Sequence, residues 1–371
     1  MDAIEKISQD IILNILSRLP LKSLMQCKCV SKRWYSLIND PILAELHLQR
    51  SKCDSINLVI CQYRPSRTVW EIQIYKLDNE NHPQLSSSLK TNIEDISSVY
   101  SCEGLICISG SAGIHICNPS TRELVTLPRS NSLKESFMHG FGYSPNTKEY
   151  KVVQLMHNKL IDGCSRLLSK FEVLTLGTKL WRPIGNVPYV LHPEKKSITL
   201  NGIMYWLTYT KKRGFDSQEE IATFNVGDER FGAISGPPDC QAFESMSAIS
   251  LGVLQGTLCL TCDHFGRRVI NHKLEIWMLR DDNVCGWVKQ YSIDTSLWKI
   301  HRPCNIFPLY DWKGKMLLED LFSGLLWYDP GTNTFEENLR CIDFFFPCVC
   351  MESLMPLVNR RLLVMRLTND G

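Results

Sequence analysis

The clearest metal-ligand spacing in the 371-residue sequence is a C-x-x-C pair formed by Cys259 and Cys262. His264 and His272 follow it. Thiolates and imidazoles are the ligands of structural zinc sites. However, residues 259–262 read as part of one β-strand, in which side chains three positions apart point to opposite faces. We therefore expect separate structural roles for the two cysteines and no zinc site.

The sequence carries none of the short motifs that hold phosphates or catalytic groups. The patterns G-x-x-x-x-G-K, G-x-S-x-G and H-E-x-x-H do not occur in it. Gly140 and Gly142 lie between two strand-like segments rather than before a helix, so we do not expect them to cradle a phosphate. Asp263 beside His264 reads as a loop, and no cysteine has a histidine at a recognisable spacing. We expect a protein that is not an enzyme and that needs no cofactor.

The overall composition is that of an ordinary globular protein. Hydrophobic residues make up 44% and charged residues 22% of the chain, and the formal net charge is +2. This balance argues against a large basic surface for nucleic acid or for an anionic membrane. The short basic runs Lys195–Lys196 and Lys211–Arg213 lie in polar stretches between apolar strands and read as solvated loops. No apolar run approaches the length of a membrane-spanning helix.

The first residues are unlike a secretory signal peptide, because Met1-Asp2-Ala3 leads into a segment that contains Glu5 and Asp10. We therefore expect an intracellular protein, in the cytoplasm, the nucleus or both. These compartments keep thiols reduced, so most of the 16 cysteines are expected to be free.

The N-terminal part of the chain predicts a set of short helices. Ile11, Ile15 and Leu19 recur at helical spacing, and Pro20 is expected to end that helix. Further short helices are predicted up to Leu48. Together they carry more apolar surface than a module of this size buries on its own. The surplus favours either a docking face for a partner protein or packing against the rest of the chain.

Beyond these helices the pattern changes to short β-segments separated by Gly, Pro, Asn and Asp. A Gly-led apolar strand recurs at Gly104, Gly202, Gly256 and Gly314, at intervals of about fifty residues or about twice that. Repeats of this length are typical of β-propeller blades. We predict six blades, with seven as the alternative, and we expect the C-terminal tail to complete the first unit. The predicted units span residues 56–90, 99–128, 139–185, 198–238, 247–296 and 307–340.

Residues 7–48 resemble an F-box, the motif through which receptors of ubiquitin ligases hold a Skp-family adaptor. The matching positions occur in the same order as in that motif: Asp10-Ile11, Ile15-Leu16, Arg18-Leu19-Pro20, Lys22-Ser23-Leu24, Val30-Ser31-Lys32, Trp34, Leu37-Ile38 and Asp40-Pro41. The sequence departs from the family where Ile7-Ser8 replaces the usual Leu-Pro; isoleucine suits a leucine pocket, but the rigid proline is missing. By this resemblance, the adaptor-binding residues are Ile7, Ile11, Leu16, Leu19, Pro20, Leu24, Val30 and Trp34.

The strand-rich body resembles the F-box-associated domain of plant F-box proteins, a kelch-type propeller. The stretches that carry this resemblance are Ile114–Arg122, Gly140–Tyr143, Tyr150–Val153, Leu200–Trp206 and Leu274–Met278. Together the two resemblances imply an all-α F-box over residues 1–50 and an all-β propeller over residues 51–371. They imply a substrate-recognition subunit of a Skp–cullin–F-box ubiquitin ligase, which links a target protein to ubiquitylation and proteasomal degradation.

The implied partners are the Skp-family adaptor, a cullin–RING ligase bound through it, and a target protein bound by the propeller. Nucleic acid and membranes are not expected partners. Two alternatives stay open: a propeller protein that binds a metabolite, and an F-box protein that acts outside a complete ligase. We expect the target to contact loops at strand ends. The candidate loops are Arg129–Ser136, His157–Arg166, Lys211–Glu220 and Asp263–His272.

Overall fold

The structure, a computed structural model, divides the protein into two compact units. The first unit comprises Met1–Arg129 and Phe345–Gly371, and the second comprises Ser130–Phe344. The residues that the structure describes are 7–54, 56–64, 69–77, 82–130, 136–157, 169–187, 189–192, 195–208, 220–237, 249–264, 273–280, 286–295, 306–320, 324–340, 345–357 and 364–366.

Four α-helices lie at the start of the first unit. They are α1 (Gln9–Leu16), α2 (Leu21–Cys27), α3 (Lys32–Ile38) and α4 (Pro41–Asp54). Within the described part of the chain, none of the helices has the length and apolar content needed to cross a membrane.

Side chains and a proline set the helix boundaries. The Ser31 hydroxyl accepts a hydrogen bond from the Trp34 amide at 3.2 Å and caps α3. The Asp40 carboxylate accepts one from the Ile42 amide at 2.9 Å where α4 begins. Pro20 directly precedes α2. The first helix ends at Leu16 rather than at Pro20 as predicted, and the chain between them forms a tighter turn with i→i−3 hydrogen bonds.

The helices enclose a hydrophobic core that the C-terminal tail completes. Ile12, Leu13 and Leu16 are buried on one side of α1. Leu354 of the tail is buried in the same cluster, and Met355 packs against it. Packing against the rest of the chain therefore accounts for part of the surplus apolar surface that the sequence predicted.

The other regular elements are β-strands. They are β1 (Ile56–Arg64), β2 (Val69–Leu77), β3 (Pro83–Lys90), β4 (Ser98–Cys102), β5 (Leu105–Gly110), β6 (Gly113–Asn118), β7 (Glu123–Thr126), β8 (Ser136–Ser144), β9 (Glu149–His157), β10 (Ser169–Thr175), β11 (Arg182–Val187), β12 (Ile198–Leu200), β13 (Ile203–Leu207), β14 (Glu220–Asn225), β15 (Arg230–Ser235), β16 (Ile249–Leu254), β17 (Thr257–His264), β18 (Lys273–Leu279), β19 (Trp287–Asp294), β20 (Ile306–Trp312), β21 (Lys315–Asp320), β22 (Gly324–Asp329), β23 (Thr334–Arg340), β24 (Phe345–Met351) and β25 (Val364–Arg366).

The strands form six antiparallel sheets. The first unit contains the sheets β24-β1-β2-β3 and β25-β7-β6-β5-β4. The second unit contains β11-β10-β9-β8, β12-β13-β14-β15, β16-β17-β18-β19 and β20-β21-β22-β23. Each sheet is one blade of a six-bladed β-propeller. The predicted fold class, N-terminal helices followed by a propeller of six blades, is confirmed.

A two-residue hairpin turn with two left-handed residues explains the Gly-led repeat. Between β4 and β5, Glu103 has φ 44° and Gly104 has φ 79°. Two successive residues with positive φ are typical of the type I′ turn, and glycine adopts such angles without strain. The same arrangement recurs at Asn201–Gly202, Gln255–Gly256 and Lys313–Gly314. The repeated glycine in the sequence therefore marks the same hairpin in four blades.

The C-terminal tail adds an edge strand to each sheet of the first unit. β24 pairs antiparallel with β1, with Ile56 opposite Met351 and Gln62 opposite Phe345. This pairing confirms the prediction that the tail completes the first predicted β-unit, residues 56–90. β25 pairs with β7 in the second sheet, which the sequence did not predict because a three-residue strand carries little pattern.

The carboxyl groups of Asp263 and Asp320 are buried in the second unit, near the ends of β17 and β21. Asp263 is 6% exposed and Asp320 is 0% exposed. Burial, and then the charge of Asp320, raises the pKa of Asp263 to about 7. The interpretation of Asp263 as part of a loop is wrong, since it belongs to β17 and pairs with Leu274.

Removal of the tail should unfold the first unit rather than trim a loose end. Deletion of residues 341–371 leaves β1 without its edge partner and takes Leu354 out of the helical core. We expect the cooperative thermal transition of this unit to be lost, because an unpaired strand edge and an emptied core position are both destabilising. Deletion of residues 367–371 alone is the control. A longer truncation that kept the complete cooperative melt would refute this role of the tail.

The raised pKa of Asp263 gives stability a defined pH dependence. In the unfolded chain an aspartate ionises near pH ~4, whereas the folded protein retains the proton up to about pH 7. The contribution of this group to stability therefore decreases as the pH rises through that interval. Asp263→Asn keeps the side-chain shape and stays neutral. Urea denaturation at several pH values should show the variant gaining stability over the wild type as the pH increases. A difference that is constant with pH would contradict the buried, raised-pKa carboxyl.

Candidate functional site

The helices of the first unit expose large apolar side chains to solvent. On α1, Ile11 and Ile15 are 54% and 53% exposed, while Ile12, Leu13 and Leu16 are buried in the helical core. Burial on one side of the helix thus leaves isoleucines on the other. We call the exposed apolar residues of this region the apolar docking set; its members are Ile7, Ile11, Ile15, Val30, Tyr35 and Ile42.

The predicted adaptor-binding residues divide into three groups. Ile7, Ile11 and Val30 belong to the apolar docking set. Pro20 is exposed as well. Leu19 and Trp34 are half-buried against the helical core. The structure does not bring the other two to the surface: Leu16 and Leu24 are 1% and 0% exposed. Those two leucines can support a docking surface only by holding the helices in place.

Sequence reasoning missed three members of the apolar docking set. Ile15 lies one helical turn after Ile11, and this spacing could have identified it. Tyr35 follows the half-buried Trp34, and Ile42 is the second residue of α4. Their exposure depends on how the helices pack, and the sequence pattern does not specify that packing.

Polar contacts hold α4 against the end of α1. His47 is buried, and its Nε2 atom lies 3.2 Å from the carbonyl oxygen of Leu19. Burial lowers the pKa of His47, so the ring is neutral at neutral pH. The Arg50 guanidinium donates to the Asn14 carbonyl oxygen at 2.9 Å and also contacts the Ser17 hydroxyl. These contacts fix the chain just before Pro20.

The two cysteines of the C-x-x-C pair lie on opposite faces of β17. Cys259 is buried among the side chains of one hydrophobic cluster, whereas Cys262 belongs to another, as expected for opposite faces of a strand. Cys262 is disulfide-bonded, while Cys259 is a free thiol. His272 lies outside the described residues. Across the residues that the structure describes, no group of three or more His, Cys, Asp or Glu side chains is arranged to hold a metal.

The predicted target-binding loops occupy connections between strands, and most of their residues lie outside the described part of the chain. Residues 158–168, 209–219 and 265–272 lie between the second and third strands of their sheets in the second unit. In an antiparallel sheet, these connections lie at the end opposite to the turn between the first and second strands. Residues 131–135 lie between β7 and β8.

The helical module of the first unit lies at the other end of its blade, the end with the tight turns. A Cβ atom placed on Gly104, in the turn between β4 and β5, would approach Ser353 Cβ at 2.2 Å and Leu48 Cδ1 at 3.3 Å. Any other residue at position 104 would be strained by the positive φ angle, and its Cβ atom would clash with the tail.

Known proteins match both parts of the chain. The F-box domain family matches residues 4–46, and the family described as F-box associated beta propeller domain matches residues 58–336. F-box protein At3g07870 of Arabidopsis thaliana is 26% identical, over 91% of this chain and 88% of its own length. F-box protein CPR1 of the same plant is 26% identical, over 87% of this chain and 82% of its own length.

Likeness to solved structures is weaker. The β-propeller domain of the Trilobed protease from Pyrococcus furiosus aligns with 76% of this chain and 77% of its own, with a TM-score of 0.40 and 9% identity. The kelch-type detail of the sequence interpretation stays a prediction. Since the propeller family alone matches more than half of the chain, the protein belongs to the F-box proteins with an F-box-associated β-propeller domain.

Proposed function

We propose that this F-box protein is the substrate-recognition subunit of a Skp–cullin–F-box ubiquitin ligase. The observation that carries the proposal is the apolar docking set, in which six large side chains are 40–69% exposed on a module whose core is already filled. Solvent-exposed apolar side chains in such a group are typical of a protein-binding surface. The Skp-family adaptor is the partner that an F-box implies, and a cullin–RING ligase binds through it.

The chain acts in this proposal as a receptor and not as a catalyst. Its helices bind the adaptor, and the propeller binds the target through connections between its strands. Ubiquitin is transferred to the target by other subunits and leads to its degradation. Such a ligase works in the cytoplasm or the nucleus, which is where we place the protein.

The two alternatives make different predictions about the helices. A metabolite-binding propeller would need them only as a cover, and a cover gains nothing by exposing Ile11, Ile15 and Val30 to water. An F-box protein that acts outside a complete ligase would bind the adaptor but would recruit no cullin. Copurification of adaptor and cullin together therefore supports the proposed function over both alternatives.

Replacement of Ile11 by glutamate should strongly weaken adaptor binding. Ile11 is 54% exposed, so the variant should fold, but it places a charge where an apolar anchor is needed. Loss of one interface anchor commonly costs about 2 kcal/mol or more, so the affinity for a purified Skp-family adaptor should fall by roughly thirtyfold or more in titration calorimetry. Leu180→Glu, at a side chain that is 76% exposed in the second unit, is the matched control. Unchanged affinity of the Ile11 variant would exclude this docking surface.

Exchange of the strand-end loops should change the target but not the adaptor. In this experiment, residues 158–168, 209–219 and 265–272 are replaced by the corresponding segments of a related F-box protein. Enrichment of ubiquitylated proteins, with and without the chimera, then identifies the target. We expect the target of the donor protein to appear while adaptor affinity stays at the wild-type value, because the exchanged segments are outside the helical module. If the chimera retains the original target, target choice does not reside in these loops.

A further inference from the structure

The same turn follows the third strand in three blades, and its first residue is Asn118, Asn225 or Asp329. In each case Oδ1 accepts hydrogen bonds of 2.8–3.3 Å from the backbone amides two and three positions further on. Only an acceptor oxygen is needed for this role, and the carboxylate of Asp329 supplies it as well as an amide does. The turn alone therefore gives no reason for asparagine rather than aspartate.

Asn118 makes two additional hydrogen bonds that need its amide nitrogen. Its Nδ2 donates to the carbonyl oxygen of Ser353 at 3.0 Å and to that of Met355 at 2.9 Å. The side chain is 0% exposed, so all of these bonds are shielded from water. Next to it, the Ser120 hydroxyl accepts a bond from the Ser353 amide at 3.1 Å. A single turn of the second blade thus donates hydrogen bonds to the tail and also accepts one from it.

Leu354 lies between the two residues whose carbonyl groups are bonded, and its side chain packs into the core of the helical module. Leu354 is 5% exposed and lies in the same cluster as Ile12, Leu16 and Leu24. Asn118 therefore fixes the backbone on either side of a side chain that fills the core of the helices. The contact requires a hydrogen-bond donor at this position, because both of its partners are carbonyl oxygens, which only accept.

We propose that Asn118 is a positioning residue, which fixes the F-box helices on the first two blades through the backbone of residues 353–355. Its amide donor holds the apolar docking set at a constant orientation to these blades. This inference rests on the proposed function, since orientation matters only where an adaptor is bound on one side and a target on the other. The positioning does not require Asn118 to touch either partner.

The variant Asn118→Asp tests the proposal with almost no change of shape. The aspartate keeps the oxygen that caps the turn, as Asp329 does, but it places a second oxygen against the two carbonyl groups. Repulsion and the loss of both bonds should release the tail. Asn225→Asp is the matched control, because the residue caps the equivalent turn in the second unit. Ser120→Ala, which removes only the weaker tail contact, is a second and milder variant.

The first measurement is amide hydrogen exchange of the purified full-length chain. We expect exchange in α1–α4 to be about tenfold faster or more in Asn118→Asp, slightly faster in Ser120→Ala, and unchanged in Asn225→Asp. Adaptor affinity should stay within about threefold of wild type, since the apolar docking set itself is intact. Equal exchange in the Asn118 and Asn225 variants would overturn the proposal, and so would an Asn118 variant that unfolds while Ser120→Ala matches wild type.

The second measurement reports orientation rather than stability. A reconstituted ligase with adaptor, cullin, RING protein, activating and conjugating enzymes and ubiquitin modifies lysines of this chain, and mass spectrometry maps them. We expect the set of modified lysines to broaden in Asn118→Asp at unchanged adaptor affinity, and to stay as in wild type in Asn225→Asp. An identical set in both variants overturns the proposal. If wild type does not bind the adaptor, the proposed function fails, whereas the exchange measurement still tests the positioning role.

Discussion

The antiparallel pairing of β24 with β1 is the interaction on which the first unit depends. It joins the two ends of the chain, since Ile56 lies opposite Met351. The tail then continues into Leu354, which fills the core of the helices. A pairing between such distant segments costs loop-closure entropy that only cooperative packing repays. The blade and the helical core are therefore coupled, and neither is complete without the same short stretch of tail.

Tight turns between the first and second strands give the two ends of four blades different properties. At one end, pairs such as Gln255–Gly256 form left-handed two-residue turns that tolerate little variation, because both φ angles are positive. In three sheets of the second unit, the other end carries a longer connection between the second and third strands. Rigid turns suit the side that must meet a fixed partner such as the helical module in the first unit. Longer connections suit recognition, because they can change in sequence without disturbing the strand ladder.

The sequence predicted the architecture well because the relevant signals are local. In four blades the glycine after the first strand marks a hairpin by its φ angle alone. The six predicted units lie close to the limits of the observed sheets. The helices were predicted from apolar spacing in the same way. The surface of the helices could not be predicted: Leu16 and Ile15 are neighbours of the same type, yet one is 1% and the other 53% exposed. Leu16 belongs to a core that α1–α4 build together with Leu354, more than three hundred residues away in sequence.

The same limit applies to Asn118 and Asp263. In sequence, Asn118 begins an ordinary Asn-Pro-Ser turn, and Asp263 stands next to histidine in what reads as a loop. The structure gives each a buried environment made by other segments, namely the tail carbonyls for Asn118 and Asp320 for Asp263. Burial makes a polar side chain sensitive to a single donor or charge, because water no longer compensates for a missing partner. In a fold built from repeats, a residue that makes hydrogen bonds beyond those its repeated turn requires therefore indicates a role specific to its own position. Asn118 meets this criterion, since its turn would be equally well capped by an aspartate.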